Sequence, residues 1–252
     1  MALRVYLCGR IVVSGDHGTV DEPDLAGRQG RLAFARLCLE HGRPVAHDQL
    51  IDCVWGPQAP VDAPGALASI ISKLRVVLKR ADHLDQATIV SSMGNYELRL
   101  PRASRVDLQD ARNAIDLAEG DRRRQAVEAA WSNGTVAVSI ARRGFLPSEA
   151  APWVRTVSAE LERVALRGLD CLTWVWTARG NGVLATAMAQ QAVELAPLHE
   201  PAWRALMTTQ AEFGSRADAL RTYNRCREVL GEELGVPPDP ATVELYERLL
   251  SK

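Results

Sequence analysis

Four residues in the first quarter of the chain have the donor types and spacing of a zinc site: Cys38, His41, His47 and Cys53, or C-x2-H-x5-H-x5-C. Thiolate and imidazole ligands at such short range could close a tetrahedral structural site. Against this, Cys38 falls between Leu37 and Leu39 on the apolar stripe of a helix, and Cys53 stands beside Val54 and Trp55. Both read as core thiols, the common fate of free cysteine. His41 reads as a helix-end residue near the negative end of a dipole. No metal and no cofactor is therefore expected. The sequence carries no Walker A run, G-x-S-x-G elbow, H-E-x-x-H pair or dinucleotide fingerprint, so no enzyme is expected. Trp153, Trp174, Trp176 and Trp203 sit at helical spacings and read as core rather than as a ligand cage.

The chemistry that remains is that of a charged and hydroxyl surface. In Asp62 to Arg80, Leu67, Ile70, Ile71, Leu74, Val77 and Leu78 recur at i, i+3, i+4, i+7 and make one apolar stripe. Asp62 is placed as N-cap, and Pro64 stands in the first turn, where a missing N–H does no harm. Ala68, Ser69, Ser72, Lys73, Arg75, Val76 and Lys79 lie off the stripe. That face is small, then hydroxyl, then basic. It suits close approach to a DNA groove, with cations reaching phosphates or guanine edges. An ordinary amphipathic helix with a solvated basic end is the competing reading.

The rest of the chain must position that helix. At 252 residues there is room for two domains of ordinary size. The formal net charge is -1, with 24% charged and 47% hydrophobic residues, as in a soluble globular protein. No apolar run is long enough to span a membrane, and the N-terminus has no signal core. Five scattered cysteines argue against a disulfide framework and for a reducing cytosol. Residues 1–102 carry a net of +1 and residues 103–252 a net of -2. A DNA binder of this composition must concentrate its positive charge locally. Arg28 and Arg31 before one helix, and Lys73, Arg75, Lys79 and Arg80 at the end of another, would do so.

In chain order, Leu3 to Leu7, Ile11 to Val13 and a segment around Thr19-Val20 read as strands, the last pair joined by an Asp16-His17-Gly18 turn. Arg31 to Glu40 and Asp48 to Trp55 read as helices, the second with His47 near its start. After the central helix, Thr88 to Val90 and Tyr96 to Leu100 make a β-hairpin with Gly-Asn at its tip. Strands, three helices and a hairpin give an α+β winged helix-turn-helix. In that fold the third helix enters the major groove and the hairpin reaches an adjacent groove or backbone.

The runs GRQGRLAFARLCLEHGRPVAHDQLIDCVWG (Gly27 to Gly56), GALASIISKLRVVL (Gly65 to Leu78) and GNYELRLP (Gly94 to Pro101) resemble the OmpR/PhoB-type winged helix of actinobacterial activators. More narrowly, they resemble the antibiotic-regulatory-protein (SARP) family. The matching residues are Arg31, Leu50-Ile51, Trp55-Gly56, Ser72-Lys73-Leu74-Arg75, and Tyr96 with Leu98. Family wings often carry an arginine just before the glycine tip, and this chain has Ser91-Ser92-Met93 instead.

Past a junction at Pro101 to Ser104 the pattern becomes all-helical. Val106 to Glu119 and Asp121 to Trp131 read as helices separated by Gly120, and Asn133-Gly134 as a break before Val136 to Arg142. Ser148 reads as the N-cap of a long helix ending at Arg179. Gly180 and Gly214 are 34 residues apart, as are Ala185 and Ala219, Ala189 and Tyr223, and Leu195 and Val229. That period is the tetratricopeptide signature, although any antiparallel helical bundle could share it. Trp203 to Phe213 and Ala217 to Leu230 would form one hairpin, closed by Pro240 to Leu250. The runs ARRGFLPSEAAPW, VELAPLHEPAWRALM, ADALRTYNRCREVLGEELGVPPDP and ELYERLL resemble the bacterial transcriptional activator domain that follows the winged helix in the same regulators.

The expected organisation is thus a winged-helix DNA-binding domain over residues 1–102 and an all-α, tetratricopeptide-like activator domain over residues 103–252. The chain ends at Lys252, so no appended ATPase, forkhead-associated or sensor module is expected. Ser69, Ser72 and Lys73 are the expected groove-facing residues, with Arg75 and Lys79 on phosphate or bases. Arg31 and His47, near helix starts, are candidate phosphate contacts. Ser91, Ser92 and Asn95 are the candidates on the hairpin. The resemblance implies a cytoplasmic activator that binds direct repeats in double-stranded promoter DNA and recruits RNA polymerase holoenzyme through its sigma subunit. Near-neutral charge argues for a homodimer at least on DNA, since pairing raises effective concentration. The other reading is a tetratricopeptide-type protein–protein adaptor, or an effector-binding regulator, with weak DNA affinity.

Overall fold

The computed structural model describes residues 3–15, 18–81 and 87–251. Two compact units emerge: Met1–Asp110 with Arg143–Ala159, and Ala111–Arg142 with Glu160–Lys252. The units do not follow chain order, and the division differs from a single cut after residue 102.

The first unit opens with β1 (Arg4–Tyr6), β2 (Val12–Gly15) and β3 (Gly18–Asp21), an antiparallel meander. Of the expected turn between the last two, Asp16 and His17 lie outside the described residues. Helices α1 (Gly27–Leu39), α2 (His47–Trp55) and α3 (Ala63–Ala81) follow, with the two-residue strand β4 (Val45–Ala46) leading into α2. Leu32 to Ala35, Leu37 and Cys38 are all buried, so α1 is the central helix of this unit. Strands β5 (Thr88–Ser92) and β6 (Asn95–Arg99) form a hairpin, and β4 pairs with the free side of β6.

The hairpin is tighter than the sequence predicted. Ser91 and Ser92 are strand residues paired with Tyr96 and Asn95. The turn is Met93-Gly94, both at positive φ (48° and 75°), rather than Gly-Asn. A two-residue turn with both central residues left-handed matches the twist of the strands it joins.

The expected junction at Pro101 to Ser104 is followed at once by β7 (Arg105–Val106), which pairs in parallel with β1. The first residue of α4 (Asp107–Arg123) then takes the backbone N–H groups of Leu7 and Cys8 on its carboxylate at 2.8 and 3.1 Å. Arg143–Ala159 belongs to this unit as well. Gly9 donates its N–H to the Gly144 carbonyl at 2.7 Å, and Trp153 donates its indole N–H to the Cys53 carbonyl at 3.0 Å. These contacts hold the chain non-helical until α6 (Pro152–Ala178), so Ser148 is not its N-cap. Pro152 suits the first turn for the reason given for Pro64.

In the second unit the helical reading holds, with two corrections. Gly120 does not interrupt the chain between two helices, because α4 runs through it to Arg123. Asn133-Gly134 does not break α5 (Val127–Ala141). A Cβ on Gly134 would lie 3.2 Å from Leu172 Cδ2, and one on Gly168 would lie 2.5 Å from Val138 Cγ2. Both glycines let α5 and α6 approach closely, and packing outweighs their propensity cost of about 1 kcal/mol each. Ion pairs at a nearly constant offset run α4 parallel to α6: Arg112–Glu160 at 2.6 Å, Arg167 with Asp116 and Glu119 at 2.7 Å, and Arg122 with Asp170.

The remaining helices are α7 (Gly182–Leu195), α8 (Glu200–Phe213), α9 (Arg216–Leu234) and α10 (Pro240–Ser251). Ala185 and Ala219, one period apart, are both fully buried. Trp203 is in the core with Ala189, Ala192, Leu206 and Leu230, as expected of it, and Tyr223 stacks on Tyr246 at 4.0 Å.

Candidate nucleic-acid interface

Helix α3 is built as its spacing predicts. The Asp62 carboxylate accepts the N–H of Gly65 at 2.9 Å and caps the helix start. Leu67, Ile71, Leu74, Val77 and Leu78 are buried, and Ile70 is half-buried at the edge of the stripe. The opposite face is exposed along its length: Gly65, Ala68, Ser69, Ser72, Lys73, Val76, Lys79 and Arg80. Its N-terminal half carries nothing larger than serine apart from Pro64, so the backbone could come close to a ligand. Its C-terminal half carries the cations. Val76 is 61% exposed on this face, with its apolar branch presented to solvent. The spacing placed Val76 off the stripe but gave it no role. An apolar contact with a thymine methyl is the DNA chemistry open to it.

Ser69, Ser72, Lys73 and Lys79 thus share one surface. Lys73 has no ion-pair partner among the described residues. Arg75 does not share that surface fully. It is half-buried, and its Nε donates to the Ile89 carbonyl at 2.8 Å. β5 is an edge strand, so this bond occupies an edge carbonyl and ties α3 to the hairpin. Neither a solvated charge nor a core ion pair describes it.

On the hairpin, Ser91 and Ser92 are exposed near the tip. Asn95 is turned inward on the turn, its amide donating to the Met93 carbonyl at 3.0 Å. His47 is stacked on Tyr96 at 4.3 Å, and its backbone N–H donates to the Gly94 carbonyl at 3.0 Å. Its Nε2 is buried without a hydrogen-bond partner. His47 therefore holds the start of α2 to the hairpin.

The basic entry to α1 is neutralised. Arg28 pairs with Glu149 at 2.8 Å, and Arg31 bridges Glu22 and Glu149. The Glu149 side chain is only 3% exposed, so this is a built-in structural pair rather than a surface accident. Arg80 pairs with Asp24 at 2.9 Å, and its hydrogen bond holds the Asp24 carboxyl below its usual value. Arg99 does the same to Glu97. Glu149 was not singled out from the sequence, and nothing local marks it.

The four zinc-type donors do not form a site. Cys38 is buried in α1, and burial pushes its thiol well above the ordinary value. His41 Nδ1 lies 2.9 Å from the Cys38 carbonyl oxygen, and His47 is packed on Tyr96. Among the described residues no three His, Cys, Asp or Glu side chains converge to hold a metal ion. None of the described helices is long and apolar enough to cross a membrane.

The family model of the bacterial transcriptional activator domain matches residues 106–250. The chain is 30% identical over 231 residues to the regulatory protein AfsR of Streptomyces coelicolor, covering 88% of this chain and 22% of AfsR. It is 28% identical to the transcriptional regulator RedD of the same organism, covering 88% of this chain and 64% of RedD. The solved structure of Mycobacterium tuberculosis EmbR in complex with a low-affinity phosphopeptide superposes with a TM-score of 0.81 at 25% identity. That match covers 99% of this chain and 65% of the EmbR chain. The chain therefore spans less than two thirds of each of these relatives.

Proposed function

We propose that this chain, which belongs to the bacterial transcriptional activator domain family, is a transcriptional regulator that reads promoter DNA with the exposed face of α3. The observation that carries the reading is that face itself. The stripe opposite is consumed by the core, while Ser69, Ser72, Lys73, Val76 and Lys79 stand together in solvent. Hydroxyl, basic and methyl groups on one helix are the set that base edges and phosphates recognise. The first unit then acts as a winged helix, with α3 in the major groove and the β5–β6 hairpin as the wing. Ser91 and Ser92 are its contacts. Arg75, His47 and Asn95 hold hairpin and helices in register, and Arg31 serves the fold through Glu149.

In this reading the α7–α10 stack is tetratricopeptide-like, as the 34-residue spacing of buried Ala185 and Ala219 supports. Two protomers bind adjacent direct repeats, and the pair activates transcription from the cytoplasmic side by recruiting RNA polymerase holoenzyme through sigma. The test is binding to genomic fragments at two salt concentrations, with wild type and Lys73→Ala. Specific binding that weakens steeply with salt and falls in the variant supports the reading. Equal, weak binding to every fragment by both proteins defeats it. A second reading, a protein-binding adaptor with little DNA affinity, is favoured by one observation: Arg28, Arg31, Arg80 and Arg99 are all matched by carboxylates. That second outcome, with a tight protein partner, would establish the adaptor.

A further inference from the structure

The second unit contains a cavity of about 430 Å³ among α4, α6, α7 and α8. That volume is in the range of small-molecule sites, roughly 300–1,000 Å³. Its floor is apolar, made by Leu166, Ala189, Ala192, Ala202 and Ala205, several of them members of the buried core. Its rim is ionic, with Glu119, Arg163, Arg167 and Asp170 around the opening. Arg167 holds both Glu119 and Asp116 at 2.7 Å, and Arg122 holds Asp170. Arg163 and His199 also line the cavity, and their side chains have no partner among the described residues.

We propose that this cavity binds a small amphipathic carboxylic acid, its apolar body on the alanine floor and its carboxylate on Arg163. Both carboxylates of the rim already have cations, and Arg163 is the charged lining group left without a partner among the described residues, so it is the one free to take an anionic group. The arginine fork gives the carboxylate two parallel donors. Simple inorganic anions would leave the apolar floor unfilled, so they are not the intended occupant. The site stands apart from the DNA reading, and its test involves no DNA.

The probes are decanoate and 2-naphthoate, each against its uncharged alcohol, titrated calorimetrically into the full chain. One probe should bind at one site per chain, about tenfold or more tighter than its alcohol. Arg163→Met should bring the acid to the level of the alcohol, and Arg163→Lys should restore some of the preference. Ala205→Phe should abolish binding of acid and alcohol, with circular dichroism confirming that the helices persist. Ala202→Val, a smaller intrusion, should weaken both if Ala205→Phe does not fold. The proposal is overturned if neither acid binds. It is also overturned if binding is non-saturable, or if it is unchanged in Arg163→Met and in the filled variants.

Discussion

Arg75 distinguishes a residue that touches DNA from one that positions what does. Its Nε–H donates to the Ile89 carbonyl at 2.8 Å, on the edge strand of a three-stranded sheet. Arg75→Met keeps the apolar stem and removes the donor. A hydrogen bond from a charged group contributes about 1.5–3 kcal/mol. Here the guanidinium is half-exposed and the freed edge carbonyl can take water, so about 1–1.5 kcal/mol is expected. The loss should be local, since the bond joins α3 to the hairpin and nothing else. Native-state hydrogen exchange of peptides covering residues 87–99 should quicken about five- to tenfold. Exchange in α1 and in the second unit should not change. Global melting is a poorer assay, because two compact units need not unfold as one transition. DNA affinity should fall modestly on all sequences, as a loosened hairpin would cause. If hairpin exchange stays at the wild-type rate while affinity drops sharply, the strut assignment is refuted and Arg75 is a contact.

The other expectations concern α3, the helix crossing and an ion pair. Lys73→Ala should lower the salt slope of DNA binding by about one if it meets a phosphate, or cost about 1–3 kcal/mol on particular sequences if it meets a base. Val76→Ser should leave folding stability within about 0.5 kcal/mol, because the side chain is 61% exposed. It should cost about 1 kcal/mol only on sites with a thymine at one position, and an equal loss on all sequences would remove Val76 from base reading. Gly168→Ala should destabilise by about 1–3 kcal/mol, because its Cβ would lie 2.5 Å from Val138 Cγ2. Val138→Ala in the same chain should recover some of that loss, and additive penalties in denaturant unfolding would refute the close-approach account. The hydrogen bond from Arg167 holds the Glu119 carboxyl below its ordinary value of 4.5. A depressed carboxylate stabilises the fold above its unfolded pKa, and that stability is lost as pH falls through the folded pKa. Wild type should therefore exceed Glu119→Gln in stability at neutral pH and converge with it below pH 4.5; a pH-independent gap would mean that packing, not charge, separates them.

Periodicity was the dependable signal. The stripe of α3 and the 34-residue spacing of Ala185 and Ala219 were legible because each is a local rule repeated along the chain. Breaker rules failed at Gly120 and Gly134, because they weigh a glycine by its own propensity. At Gly134 the deciding term is the side chain of Leu172, which occupies the space a Cβ would need. The hairpin was legible in outline, but its tip was placed one residue late, since Met93 accepts a left-handed φ that pattern reading reserves for glycine and asparagine.

Charge was the least legible property, for a physical reason. A net of +1 over residues 1–102 says nothing about which cations are free. One of the two partners of Arg31 lies 118 residues away, in a stretch that sequence character assigned to the helical half. Glu149 takes Arg28 and Arg31, Asp24 takes Arg80 and Glu97 takes Arg99, so each of those arginines already has a carboxylate partner. Phosphate recognition depends on cations that can give up water for a ligand without abandoning a partner. On the exposed face of α3, Lys73 is such a cation, standing among hydroxyls and small side chains. The near-neutral composition is then no argument against DNA binding. Single substitutions among Ser69, Ser72, Lys73 and Val76 should then change affinity more than substitutions of the arginines already held by carboxylates.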